Sequence, residues 1–361
     1  MLFLLKINMK NTIKYTIIAI ISLSTFNCSN YSNFNNQNID VIQISEDVVK
    51  VQEIYLQSID FDDPPFCPKS CCVERGNLVV LEDANKVSND YFRIYSGTKL
   101  IKKFGGNGNG PEDFISPFLN SDGKTEFSGF YVIDGGVLKH IVVDDDNISI
   151  KLYSDLPKEF FLANKVLQYN DSIIAAYVTS DFQIQYYDKS NGNIIGRNYF
   201  DKSDRYKQVA DWNCLMTLFR AAFSYTEKYA IIAYQNFKCI DLVSLEDRSL
   251  KRRLCFPNYD NNSFVVDNDI ALFDENLTFY FSCISSNEEN FYVMSWDSSY
   301  KKVNNGEVNG TIYKFDYEGN LISIYKTNQG IQSFVVADNM IYAIGLDHNS
   351  KEWTVYKGEI K

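Results

Sequence analysis

The sequence predicts an all-β chain folded as a six-bladed β-propeller, with an N-terminal strand closing the last blade. Three observations carry this expectation. Apolar and polar residues alternate with the two-residue period of strands along most of the chain, as in Tyr91 to Ser96. The strands fall into groups of about four that recur every 40 to 50 residues, the spacing of propeller blades. Aromatic residues are abundant, with 26 Phe and 25 Tyr, a bias that favours strands over helices.

Taken in order, the first segment stands outside the fold. Lys6, Lys10 and Lys14 precede an apolar run from Tyr15 to Phe26, the make-up of a secretory signal over residues 1–27. The run is short for a membrane span. Cys28 follows it directly, which points to a bacterial lipoprotein cleaved before Cys28 and acylated there. Thr25 and Asn27 stand where the strict lipoprotein pattern has Leu and Gly or Ala, so a plain secretory signal, with Cys28 a bystander, is the alternative. Residues 28–38, rich in Ser and Asn, read as a polar tether, and 39–361 as one propeller domain.

Within that domain, Val48 to Gln57 reads as a strand with no partner nearby in sequence, and Ser58 to Gly76, with Pro64, Pro65 and Pro68, as a loop. Strands follow at Leu78–Glu82, Tyr91–Ser96 and Lys99–Phe104, with a tight turn at Ser96-Gly97. The second group is Gly129–Asp134, Leu138–Asp144 and Asn147–Tyr153. The third runs from Lys165 to Phe200, turning at Asn191-Gly192, and the fourth from Ala221 to Phe256. The fifth runs from Thr278 to Thr327, turning at Glu318-Gly319. The last group, Ile331–Asp338, Met340–His348 and Trp353–Gly358, has three strands, and the orphan strand supplies its fourth. That exchange joins the two ends of the chain and removes an exposed edge. A two-layer sandwich, or two smaller β domains, is the competing architecture.

The segment GGNGNGPEDF, Gly105 to Phe114, follows a strand-turn-strand and resembles the glycine-rich element of TolB-like six-bladed propellers, and of NHL-like repeats more broadly. IYKFDYEGNLISIY, from Ile312, and SFVVADNMIYAIGLD, from Ser333, are similar to that family's later hairpin and final blade. Glu112 departs from the family's usual Gly and Asp113 from its Glu. The resemblance implies a lipoprotein at the bacterial surface or in the periplasm. It implies a fold and an address, and brings little chemistry.

Charge excludes one class of partner. The net charge is −11, and near −14 once the signal with its three lysines and no acid is removed, which repels phosphate backbones. The densest basic run, Lys251-Arg252-Arg253, reads as a solvated strand face. Nucleic acid is therefore not expected, and the membrane is met only through the N-terminal lipid.

Chemical sites are few. Gly105 to Gly110 lacks the Lys-Ser/Thr and the following helix of a phosphate loop, so it reads as a turn between blades. Cys67, Cys71 and Cys72 lack the second half of a zinc site and read as disulfide staples of an irregular loop. Cys239 and Cys255 lie at equal distance from a turn near Asp247, which makes a cross-strand disulfide possible there. Asp144-Asp145-Asp146 reads as a solvated turn rather than a calcium site, and His140, inside a strand, as structural. No Gly-x-Ser-x-Gly elbow is present, and no catalytic residue, cofactor or metal is assigned.

Binding is what remains. Two stretches read as long loops at the blade ends, where propellers carry function. One holds Arg205, Tyr206, Trp212 and Arg220, the other Trp296 and Tyr300 with Lys301 and Lys302. Aromatics beside cations suit a protein, peptide or glycan of the cell envelope. The alternative is a lactonase or lyase of the six-bladed type using a channel-bound Ca²⁺ or Zn²⁺.

Overall fold

The computed structural model describes residues 32–33, 39–83, 90–120, 129–144, 147–160, 163, 165–168, 172–177, 182–199, 221–226, 228–257, 264–267, 270–273, 277–347 and 350–360. Six antiparallel sheets stand as blades in chain order. Blade one is Pro68–Glu74, Asn77–Glu82, Asp90–Ser96 and Lys99–Gly106. Blade two is Pro117–Leu119, Phe130–Asp134, Val137–Asp144 and Asn147–Asp155. Blades three, four and five start at Lys165, Ala221 and Thr278, and blade six at Ile331. A separate two-stranded hairpin, Phe264–Asp267 with Ile270–Phe273, lies between blades four and five in sequence.

The buried apolar side chains show that the blades close into a ring. They form six clusters, and each cluster joins two neighbouring blades. Phe92 and Phe130 share one between blades one and two, for example, and Val80 and Ile344 share the one between blades one and six. The other four join blades two to three, three to four, four to five and five to six. A two-layer sandwich would have one core; six seams, the last returning to the first blade, are a propeller.

The turns explain the tight hairpins. Arg75-Gly76 and Asp338-Asn339 both have two consecutive residues at positive φ, the backbone twist that suits a two-residue link between antiparallel strands.

Closure of the ring uses more chain than one strand. Gln57–Ser58 pairs antiparallel with Tyr356 and Lys357 and completes blade six as expected. Val51–Ile54, expected in that same strand, instead adds in parallel to the outer strand of blade five, Ile324–Thr327. Asp40–Gln43 adds likewise to the outer strand of blade four at Arg252–Cys255, and Ser32–Asn33 to that of blade three at Gly196–Arg197. The N-terminal segment is therefore a belt around the rim. Its side chains enter successive seams: Ile44 between blades four and five, Ile54 and Leu56 between five and six, Ile59 and Phe61 between six and one. Asp62 and Asp63 then tie the belt to blade one, where Arg93 bridges Asp63 at 2.7 Å and the buried Glu82 at 2.7 Å. Between blades four and five, Lys238 bonds Glu46 of the belt at 2.8 Å and Asp297 at 2.7 Å, beneath Tyr313, whose hydroxyl also reaches Glu46.

One loop is corrected. Pro68–Glu74 is the inner strand of blade one, not irregular chain. Cys71 and Cys72 are successive strand residues, so their side chains point to opposite faces. Cys71 packs in the seam toward blade six and Cys72 in that toward blade two, which rules out a staple between them. The basic run is corrected too: Arg253 is bound to the fully buried Asp241 through two hydrogen bonds of 2.7 and 2.8 Å, rather than lying on a solvated face.

Candidate functional site

The first strand of each blade lines the central channel, and the residues near its start form the channel mouth. In a strand, alternate side chains share a face. The mouth receives at least one residue from the first two positions of every inner strand: Lys69, Phe118, Lys165, Ala221, Phe279 and Gln332, with Ala222 beside Ala221. They open into a cavity of about 560 Å³ that all six blades line. The ends of the second strands reach the same face, bringing in Gln235 and Trp296. The opposite face carries tight turns such as Arg75-Gly76 and Asn191-Gly192.

Blade five builds an aromatic wall at this mouth. Phe279 is the second residue of the inner strand Thr278–Ser286, Trp296 lies near the end of the next strand, Asn290–Ser299, and Tyr300 begins the one-turn helix Tyr300–Asn304. The Phe279 and Trp296 rings stack with centroids 6.4 Å apart, and Tyr300 meets Phe279 edge-on at 4.8 Å. Trp296 Nε1 donates to Ile331 O at 2.9 Å, which fixes the indole. Tyr300 remains half exposed, as does Phe118 across the mouth. Of the two predicted loops, the structure thus places Trp296 and Tyr300 together. Arg205, Tyr206, Trp212 and Arg220 lie outside the described residues, as does Cys28.

Among the described lining residues, the charged side chains are Lys69 and Lys165, and no carboxylate is present. Lys69 pairs with Asp83, but both side chains are about half exposed, and such a pair holds its lysine weakly. Deeper in the channel lie Ser282, Ser285, Ser286 and the thiols of Cys71 and Cys283. Burial, and then the neighbouring thiols of Cys72 and Cys283, push the Cys71 thiol well above its ordinary value, so it stays protonated and weakly nucleophilic. Among the described residues, no three His, Cys, Asp or Glu side chains group as a metal site, and no helix is long and apolar enough to cross a membrane.

The glycine-rich segment has a structural occupation. The Asp113 carboxylate folds back into the loop and accepts from Gly110 N at 3.0 Å. A Cβ on Gly108 or Gly110 would lie 2.5 or 2.6 Å from Asp113 Oδ2. The cradle is filled by the chain's own anion, and the loop seats Phe114 against Phe92 between blades one and two. Lys139 caps it, donating to Asp113 O and Asp134 and lying 4.3 Å above the Phe114 ring.

Asp144 pairs with Arg75 at 2.9 Å at the turn face, and Asp145 and Asp146 fall outside the described residues. His140 stacks on Tyr131 at 4.6 Å, as a structural histidine would. Cys239 stands directly opposite Cys255 in the blade-four register. The next pair along, Lys238 and Phe256, is hydrogen-bonded through Phe256 N, so the cysteines occupy the close, non-hydrogen-bonded kind of pair.

Phe118, Phe279, Lys69 and Lys165 were not singled out by the sequence reading. The signal that finds them is positional: once the blades are assigned, the first two residues of each inner strand are mouth candidates.

Three comparisons bear on this architecture. Residues 69–339 match the family model described as "TolB-like 6-blade propeller-like". A Bacteroides fragilis protein described as exported superposes with a TM-score of 0.54 at 14% identity, over 90% of this chain and 100% of that one. A member of the DUF4221 family from Bacteroides vulgatus gives 0.53 at 9% identity, over 86% and 97%. At these identities the likeness is one of fold. No curated protein matches the chain in sequence.

Proposed function

The chain belongs to the TolB-like 6-blade propeller family, and from that premise we propose that it is an exported, lipid-anchored binding module of the cell envelope. It takes a protein, peptide or glycan at the channel mouth and performs no catalysis. The observation that carries this reading is the aromatic wall of Phe279, Trp296 and Tyr300 beside an open cavity free of carboxylates among its described lining residues. Rigid, partly exposed aromatics supply contact area at little entropic cost. Export is supported by the N-terminal signal and by the exported Bacteroides fragilis neighbour.

We infer a direction for the anchor from the start of the belt. Outer strands run from the turn face toward the mouth, and Ser32–Asn33 runs parallel to one of them. Ser32 is therefore the end of that pair nearer the turn face. Cys28 stands four residues earlier, a reach of at most about 14 Å. A lipid on Cys28 then holds the turn face nearer the membrane and leaves the mouth open to partners.

The alternative, a channel-metal lactonase or lyase, draws no support from this lining. Its described residues include no carboxylate, and among the described residues no three His, Cys, Asp or Glu side chains group as a Ca²⁺ or Zn²⁺ site.

The test is a pull-down from detergent-solubilised envelopes with wild type and a Trp296→Ala/Tyr300→Ala double variant, with metal analysis of the purified protein. One partner or glycan held by wild type and lost by the variant is the expected result. Equal recovery by both, or stoichiometric calcium or zinc, overturns the reading.

A further inference from the structure

Beside the mouth, between blades five and six, lies a second and smaller cavity of about 180 Å³. It shares Trp296 and Gln332 with the mouth, so the two adjoin. Its character differs. Val303, Val308, Ile331 and Leu346 form the walls, and Trp353, about one-third exposed, flanks the opening.

The pocket is built rather than left over. Thr327 Oγ1 donates toward Gly310 O and Gln329 O at 2.9 and 2.7 Å, and Gly310 N and Thr327 N complete the latch between the two loops. Gly306, at positive φ, lets its loop approach Leu346, where a Cβ would lie 3.1 Å from the leucine methyl. The Trp296 indole is fixed by its bond to Ile331 O.

Size and chemistry limit the occupant. The volume is that of about six waters at ~30 Å³ each, enough for one large side chain and below the usual range for a whole small-molecule ligand. A sugar ring buried here would leave its hydroxyls against aliphatic walls without partners, which is unfavourable. A long acyl chain exceeds the space. At the other limb of the site, the charged groups of the described lining are the lysines Lys69 and Lys165, in a protein whose net charge is −11. The charge complement is an anion.

Resting on the reading that the mouth binds a ligand, we infer that this pocket receives one large apolar side chain of an acidic peptide segment. The backbone of that segment continues into the channel mouth and its carboxylate meets the lysines there. The Trp296 face is the hinge between the two limbs.

The probes are fluorescent blocked tetrapeptides, acetyl-Glu-Gly-Leu-Gly-amide and its Leu→Ser and Glu→Gln counterparts, titrated by polarisation against the full mature chain. A mixed neutral oligosaccharide is a fourth probe. The filling variants Val303→Trp and Leu346→Trp are both made, with thermal melting to show which keep the fold. The leucine peptide is expected to bind wild type at least tenfold tighter than the serine peptide, and a folded filling variant to lose that preference. The Glu→Gln peptide should weaken, and added salt should remove the difference. Peptides that bind irrespective of Leu, or not at all, overturn the inference. Oligosaccharide binding that persists in the filling variants overturns it while leaving the mouth as the binding site. An envelope pull-down that returns nothing removes the mouth reading itself.

Discussion

Truncating the belt inside a seam should destabilise the whole ring. Leu56 is 2% exposed and packs between blades five and six, and Ile44 is 5% exposed between blades four and five. Burying such a side chain contributes about 1.5–3 kcal/mol. Truncation to alanine also leaves a cavity, so each of Leu56→Ala and Ile44→Ala should cost about 2–5 kcal/mol. The two residues sit in different seams and share no partner, so the losses should roughly add, to about 4–10 kcal/mol. A typical domain has only about 5–15 kcal/mol in total, which puts the double variant at the edge of folding. Val48 lies on the same belt but is 80% exposed. Val48→Ala should change stability by no more than about 0.5 kcal/mol. The assay is urea unfolding followed by tryptophan fluorescence, with Trp296 and Trp353 reporting on blades five and six. If Leu56→Ala and Val48→Ala share a midpoint, the belt is a surface ornament and the closure argument fails.

Three further outcomes are expected. The hydrogen bond from Lys103, against opposing desolvation and with help from Arg93, holds the Asp63 carboxyl below its ordinary value. A depressed carboxylate contributes stability above its unfolded value of about 4 and loses it as pH falls through the folded value. Melting curves should therefore show Asp63→Asn less stable than wild type at neutral pH, with the gap closing below about pH 4; a gap that widens in acid contradicts the assignment. Gly108→Ala forces a Cβ to within 2.5 Å of Asp113 Oδ2 and should cost about 1–3 kcal/mol in the same denaturation assay, whereas an unchanged midpoint would show the loop to be slack. Protein recovered from an oxidising compartment without reductant should yield a linked Cys239–Cys255 peptide by mass spectrometry, since close non-hydrogen-bonded pairs have Cα atoms about 4.5 Å apart, within disulfide range. If the pair is reduced, burial has pushed Cys255 up to about 11, and alkylation of both cysteines after unfolding without reductant would refute the bridge.

The blades were legible because each carries its own local signals. Alternation, Asn191-Gly192 and Glu318-Gly319 turns, and recurrence at a fixed period all act within about fifty residues. The belt was legible only at its end. Its other pieces are two to four residues long and pair in parallel with strands more than a hundred residues away, as Asp40–Gln43 does with Arg252–Cys255. No turn encodes such a partner, so Val51–Ile54 was assigned to the neighbouring blade. Pro68–Glu74 was hidden by Pro68, the prolines just before it and its two cysteines, and Pro117–Leu119 by its length of three residues. At the site, Trp296 and Tyr300 stood out as aromatics in a long connection. Phe118 and Phe279 did not, because a strand residue reveals its channel-facing side only once the ring is known. The glycine-rich loop shows the converse: its composition invited an anion, and the fold supplies one in Asp113.

The binding claim is tested most directly by photo-crosslinking in cells. A photoreactive residue replaces Tyr300 at the mouth or, as a control, the exposed Lys189 on the turn face. A discrete crosslinked envelope species from position 300, absent from position 189, is the predicted result. A species captured from position 189 alone would mean that partners meet the opposite face, and would contradict the account.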